Sequence, residues 1–130
     1  MKREDIRKEA EPLINDIRSM GDTTVMYHDI FTNHISYLRF LFDVGQVPED
    51  LFPYIGILKS VLGYVDTENF TYGELFHEIN METGGIVPVT NFFTNAKKLS
   101  ECRVTFEIKA KTLEDNLPKT VELVQEIMLK

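Results

Sequence analysis

One cysteine in 130 residues, Cys102, leaves nothing for an intrachain disulfide framework and excludes a zinc cluster built on cysteines. That usage fits a reducing compartment, the cytosol or an organelle matrix. No apolar run of about 18 residues occurs, which removes a membrane-spanning helix. The N-terminal MKREDIRKEAEPLIND alternates charges of both signs and lacks the apolar stretch of roughly 7–15 residues that a secretory signal needs, so none is expected. Cations are scarce: 14 Lys and Arg against 21 Asp and Glu give a formal charge of −7 and a pI near 4.9. This balance opposes phosphate backbones and anionic bilayers, so neither nucleic acid nor a membrane is an expected partner. Also missing are internal repeats, low-complexity tracts, Gly/Ser linkers, a Gly-rich phosphate loop, a G-x-S-x-G elbow and an aromatic-basic stripe.

What remains is the composition of one soluble globular domain, with 43% hydrophobic and 27% charged residues. Residues 1–20 read as a polar leader, partly helical or extended, because Pro12 interrupts the spacing of Ile6, Leu13, Ile14 and Ile17. Residues 21–130 read as an α+β module. Gly21-Asp22 signals a turn before a strand over Thr23–His28, and Phe31–Asn33 makes the next turn. Ile35–Val44 alternates Leu38, Phe40, Phe42 and Val44 against Ile35, Tyr37, Arg39, Leu41 and Asp43, as a central strand would.

Pro48-Glu49-Asp50 opens a helix running to about Gly63, with Leu51, Ile55, Leu58 and Leu62 at helical spacing. Thr71 and Glu74 have the spacing of a capping box for the next helix, and Gly84-Gly85 supply the left-handed conformation that would end it. A strand over Gly85–Phe93 contains Pro88, which points to a sheet edge or a bulge. Glu101–Ala110 alternates Cys102, Val104, Phe106, Ile108 and Ala110 inward against Glu101, Arg103, Thr105, Glu107 and Lys109 on a wet face. Leu117, Val121, Val124 and Met128 stripe a last helix that begins at Thr112 or after Asn116. The order β-β-α-α-β-β-α predicts a two-layer α+β sandwich, a mainly antiparallel sheet with helices on one face.

Candidate chemistry is sparse. In Glu74-Leu75-Phe76-His77-Glu78-Ile79-Asn80-Met81, the residues Glu74, His77 and Glu78 share one side of a helix and have metal-binding chemistry. The zinc pattern H-E-x-x-H nevertheless needs a second histidine where Met81 stands. The default is a cap at Glu74 and solvated residues at His77 and Glu78. His28, Asp29 and His34 bracket a turn and have metal-site composition, though turn-region polar residues are usually just solvated. Cys102, on the expected inward face, reads as a small apolar residue rather than a nucleophile.

Two stretches carry a resemblance. Val25–Asn33 with Ile35–Leu38, and then Val47–Tyr54, are similar to the start of the second half of presequence-protease-type enzymes in the insulinase/pitrilysin family. Tyr72-Gly73-Glu74-Leu75 and Glu82-Thr83-Gly84-Gly85-Ile86 resemble the helix and glycine pair that follow there, and Asp5-Ile6 resembles the entry from the interhalf linker. The similarity is densest from Val25 to Ile86. It implies a clamshell of two related halves, each of two α+β modules, enclosing a chamber where unfolded peptides are cut. Its zinc belongs to the first module of the first half, on an inverted H-x-x-E-H helix plus a distant glutamate.

This chain resembles the first module of the other half, a metallopeptidase/mitochondrial-processing-peptidase-like fold without that site. In the natural register Tyr54, Ile57 and Leu58 stand where His, Glu and His would be, and no histidine lies between His34 and His77. The resemblance further implies that 130 residues are a piece of a larger protein, inactive alone, with no catalytic, cofactor or metal residues of its own. Its partners would be the remaining modules and the enclosed peptides, and zinc would reside in the parent's catalytic half. A free-standing α+β interaction or ligand-binding module is the alternative, and a small metalloenzyme using His28, His34 or His77 a third.

Overall fold

The computed structural model describes residue 12 and residues 14–130, which divide into two compact units, Met1–Asn33 and His34–Lys130. Residues 1–11 and 13 of the expected leader, Asp5 and Ile6 among them, lie outside the described residues. In the first unit, β1 (Asp16–Met20) pairs antiparallel with β2 (Thr23–Tyr27), from Asp16 opposite Tyr27 to Met20 opposite Thr23. Only two residues connect them, and Gly21 takes φ 59° at the first, as a type II′ hairpin turn requires. Arg18 donates from Nε to Asp16 Oδ2 at 2.7 Å and stacks 5.6 Å over the Tyr27 ring. The strand β1 is absent from the sequence expectation: its five residues DIRSM mix charge and apolar side chains without clean alternation.

In the second unit, β3 (Ile35–Asp43), β4 (Ile86–Asn95) and β5 (Lys98–Leu113) form an antiparallel sheet in the order β3-β5-β4. The expected α+β class holds, with five described strands in two sheets where the sequence suggested four. The short turn Glu49–Leu51 leads into α1 (Phe52–Val61), with Pro53 in its first turn, where a missing N–H costs nothing. Then follow α2 (Tyr72–Glu82) and, after the turn Glu114–Asn116, α3 (Leu117–Leu129).

One sheet face carries the core. Phe106, Ile108 and Ala110 of β5 are buried with Val44 and Val124, and Leu38, Phe40, Phe52, Ile55 and Met128 pack against them. Leu75 of α2 and Leu123 and Ile127 of α3 form a second cluster joined through Leu62 and Ile86. The helices thus cover one face, the two-layer arrangement expected. Pro88 sits on the edge strand β4, where its missing donor breaks no ladder.

Three local expectations are corrected. The buried stripe of α3 runs through Thr120, Leu123, Val124 and Ile127, and Val121 is exposed, because the helix rolls to meet Leu75 as well as the sheet. The end of α2 is not a left-handed glycine cap. Thr83 is extended, its N–H and Oγ1 both donate to the Ile79 carbonyl at 3.0 and 2.7 Å, and only Gly85 has positive φ, 120°. Gly84 serves close approach: its N–H donates to the Lys111 carbonyl at 2.8 Å, and a Cβ there would fall 2.8 Å from Lys111 Cγ.

The third correction concerns β5. Its pairing with β3 spans Thr105–Leu113, so residues before Thr105 extend with β4 beyond the core, and Cys102 is exposed rather than inward. Thr105 and Glu107, expected on a wet face, are buried because β5 is the central strand and neighbours on both sides cover them.

Candidate functional site

The residues singled out for metal chemistry do not assemble. His28 Nδ1 lies 3.3 Å from the Ile14 carbonyl within the first unit. His34, in the second, holds positive φ (63°) after Asn33 (53°) and is tied to Glu114 twice, Nδ1 to Oε2 at 3.2 Å and its carbonyl accepting from the Glu114 N–H at 3.1 Å. On α2, Glu74 closes the capping box: Oε2 accepts from the Thr71 N–H at 2.9 Å and the Thr71 hydroxyl at 2.7 Å, while Thr71 Oγ1 faces the Glu74 N–H at 3.5 Å. The hydroxyl of Thr71, then its N–H, hold Glu74 below the ordinary carboxylate range. His77 is exposed and Glu78 reaches Lys119 at 3.9 Å. Among the described residues, no three His, Cys, Asp or Glu side chains converge as metal ligands.

On α1, Tyr54, Ile57 and Leu58 are 63%, 57% and 44% exposed. Phenol and hydrocarbon side chains in that trio do not make a zinc site, so the residues present do not fit the metal that the resemblance associates with this helix position.

The densest polar arrangement is one the sequence reading missed. Glu107 of β5 is fully buried. Its Oε2 accepts from Arg39 Nε of β3 and from Asn91 Nδ2 of β4, both at 2.8 Å, and its Oε1 accepts from Thr105 Oγ1 at 2.7 Å. Three strands thereby converge on one carboxylate. Burial raises its pKa, but the bonds from Thr105, Asn91 and Arg39 and the guanidinium charge outweigh burial, and Glu107 stays below the ordinary range. A general acid needs the opposite shift. Held ionised and saturated with donors, Glu107 cross-ties the sheet. Arg39, Asn91, Thr105 and Glu107 are each visible as polar residues in strands, but only the register of three strands brings them together.

A second buried carboxylate, Glu126 of α3, does the same for a loop. It accepts from Thr67 Oγ1 at 2.8 Å, the Asn69 N–H at 3.0 Å and Asn69 Nδ2 at 2.9 Å, with Lys130 Nζ at 3.6 Å. Burial acts against ionisation, and the donors of Asn69 and Thr67 overcome it, bringing the pKa to about 2.

Next to Arg39 lies a concavity of about 460 Å³ lined by Tyr37, Arg39, Val87, Lys109 and Lys111 of the sheet face away from the helices, together with Gly84-Gly85. Pockets of this size accommodate small ligands or peptide side chains.

These features define an α+β module whose ionised carboxylates brace strands and loops and whose histidines are not gathered around a reacting atom. The chain belongs to the peptidase M-16C associated family, whose sequence model matches residues 1–130. It is 42% identical over 125 residues to Protein HypA of Clostridium perfringens, covering 96% of this chain and 13% of that protein. It is 32% identical over 82 residues to presequence protease 1, chloroplastic/mitochondrial, of Arabidopsis thaliana, covering 63% of the chain and 8% of the relative. With the mitochondrial presequence protease of Schizosaccharomyces pombe it shares 30% over 90 residues, 69% of the chain and 9% of the relative. The chain thus spans about an eighth or less of the length of these relatives. No helix among the described residues is long and apolar enough to cross a membrane.

Proposed function

We propose that this chain is a non-catalytic, chamber-forming module of a zinc-dependent oligopeptidase of the presequence-protease type, the first module of its second half. It contributes scaffold and peptide confinement, while zinc and the bond-breaking chemistry reside in another module of the same polypeptide. The observation that carries this reading is the family match over the whole chain, joined to a helix α1 that offers Tyr54, Ile57 and Leu58 in place of metal ligands. Its partners are then the remaining modules and the enclosed peptides. The cytosol or an organelle matrix is the compartment, a placement supported by the single cysteine and by the mitochondrial names of several relatives.

The chemistry of the residues agrees with a scaffold role. A module that bounds a chamber needs a sheet that resists deformation, and Glu107 ties its three strands by side-chain bonds in addition to the ladders. Metal analysis tests the division of labour. After purification from zinc-supplemented growth, the longer polypeptide is expected to carry stoichiometric zinc and the 130-residue chain none. Stoichiometric zinc on this chain would overturn the reading.

A further inference from the structure

We propose that the concavity on the helix-free face of the sheet binds an extended peptide segment bearing carboxylates at alternate positions. The premises are residues of this chain alone, so the inference does not rest on the chamber reading.

Charge is locally reversed at this face. The molecule carries −7, yet the concavity is lined by Arg39, Lys109 and Lys111 and by no carboxylate, the adjoining Glu107 reaching it only through Arg39. Glu107 is already committed to Arg39, Asn91 and Thr105. The neighbouring carboxylate on the same face, Asp43, pairs with Arg103 at 3.3 Å. Among the described residues, Lys109 and Lys111 take part in no ion pair, which leaves a local positive surplus on an acidic protein. Arg39 gives Nε to Glu107 and still holds further guanidinium N–H donors for a ligand.

Spacing selects the ligand. Lys109 and Lys111 are two residues apart on one strand, so they share a face and stand roughly 6.5–7 Å apart. That is also the repeat of alternate side chains on an extended peptide, so a segment lying along β5 can offer one carboxylate to each. Tyr37 lies opposite Lys111 and Val87 opposite Lys109, and both are more than half exposed. They give apolar walls for the stems of such side chains. The lysine stem itself is positioned, because Gly84 lets Lys111 Cγ, Cδ and Cε lie where a Cβ would sit. Nucleic acids and anionic bilayers also carry negative charge, but the overall −7 repels an extended polyanion or a charged surface while leaving a local pair of carboxylates unaffected beyond the screening length.

The test uses the 130-residue chain and a rhodamine-labelled peptide, Glu-Ser-Glu-Ser-Glu, followed by fluorescence anisotropy at low and physiological salt. The glutamate peptide is expected to bind roughly five-fold or more tightly than its glutamine twin, as two surface ion pairs of ordinary strength would give. Lys109→Gln with Lys111→Gln removes that preference, Lys109→Arg with Lys111→Arg keeps it, and Lys59→Gln with Lys97→Gln, equal in charge but elsewhere, leaves it intact. Circular dichroism confirms that each variant is folded. The exposed Lys111→Gln alone, which lowers the preference part of the way, stands in for a double variant that does not fold. Equal binding of the two peptides, binding of neither, or equal loss in the Lys59/Lys97 control would each overturn the proposal.

Discussion

Arg39 and Glu107 sit on adjacent strands but not opposite each other: Arg39 pairs with Lys109 and Glu107 with Leu41, so their 2.8 Å bond runs diagonally across the sheet. The carboxylate is fully buried while the Arg39 side chain is 46% exposed. This asymmetry decides what each substitution does. Arg39→Ala leaves Asn91 and Thr105 on the carboxylate and is expected to cost about 2 kcal/mol, less than loss of a partner from a wholly buried pair, because solvent screens the guanidinium. Urea denaturation reads the difference as a lower midpoint at unchanged slope, and an unchanged midpoint would mean that the pair contributes nothing.

The stability of the chain falls on acidification, with a sign set by three depressed carboxylates. Glu74, Glu107 and Glu126 all bind protons less readily folded than unfolded. Their stabilisation is fully present above the ordinary carboxylate value of 4.5 and drains away below it, for Glu126 as the pH falls through about 2. Melting temperatures recorded from pH 6 down to roughly pH 2 should decline through that window. Glu126→Gln should flatten the decline, and an equally steep acid limb in that variant would remove Glu126 from the account.

The cap of α2 gives a local test. Thr71→Ala deletes the hydroxyl that donates to Glu74 and faces the Glu74 N–H, and is expected to cost about 1 kcal/mol. Thr71→Ser keeps the hydroxyl and should recover most of it. Thermal denaturation of the two variants distinguishes a cap from a merely exposed threonine, for which both changes would be neutral.

The two neighbouring glycines should respond differently. Gly85→Ala forces a side chain onto φ 120° and is expected to destabilise by about 1–3 kcal/mol. Gly84→Ala needs no left-handed backbone and costs only the displacement of the Lys111 side chain, 2.8 Å away at Cγ, so its stability cost is smaller. A larger cost at Gly84, measured by the same denaturation, would contradict this assignment.

How much of this was written in the sequence depends on range. The capping box from Thr71 to Glu74 and the edge position of Pro88 rest on neighbours a few residues apart, and both are found as expected. Glu107 was not legible, since its burial requires Arg39 and Asn91, 68 and 16 residues away. Cys102 failed for a related reason: alternation fixes which face a side chain takes, not whether the neighbouring strand reaches that far. The strand β1 was hidden because hairpin pairing with β2, rather than its own pattern, makes it a strand. The concavity at Lys109 and Lys111 likewise depends on Tyr37 and Val87 from two other strands.

The proposed correspondence of α1 to a zinc-carrying helix is the point on which the functional reading turns. Its outward Tyr54, Ile57 and Leu58 do not supply the histidine and carboxylate ligands of a zinc site, so their truncation should leave metal binding untouched. In the longer polypeptide, alanine at these three positions is expected to leave the zinc content unchanged.

The most direct measurement is peptide cleavage by the longer polypeptide with and without residues 1–130, alongside its zinc content. A confining, non-catalytic module predicts that zinc is retained while cleavage of unfolded peptides is lost. Cleavage at the undiminished rate without these residues would contradict that role.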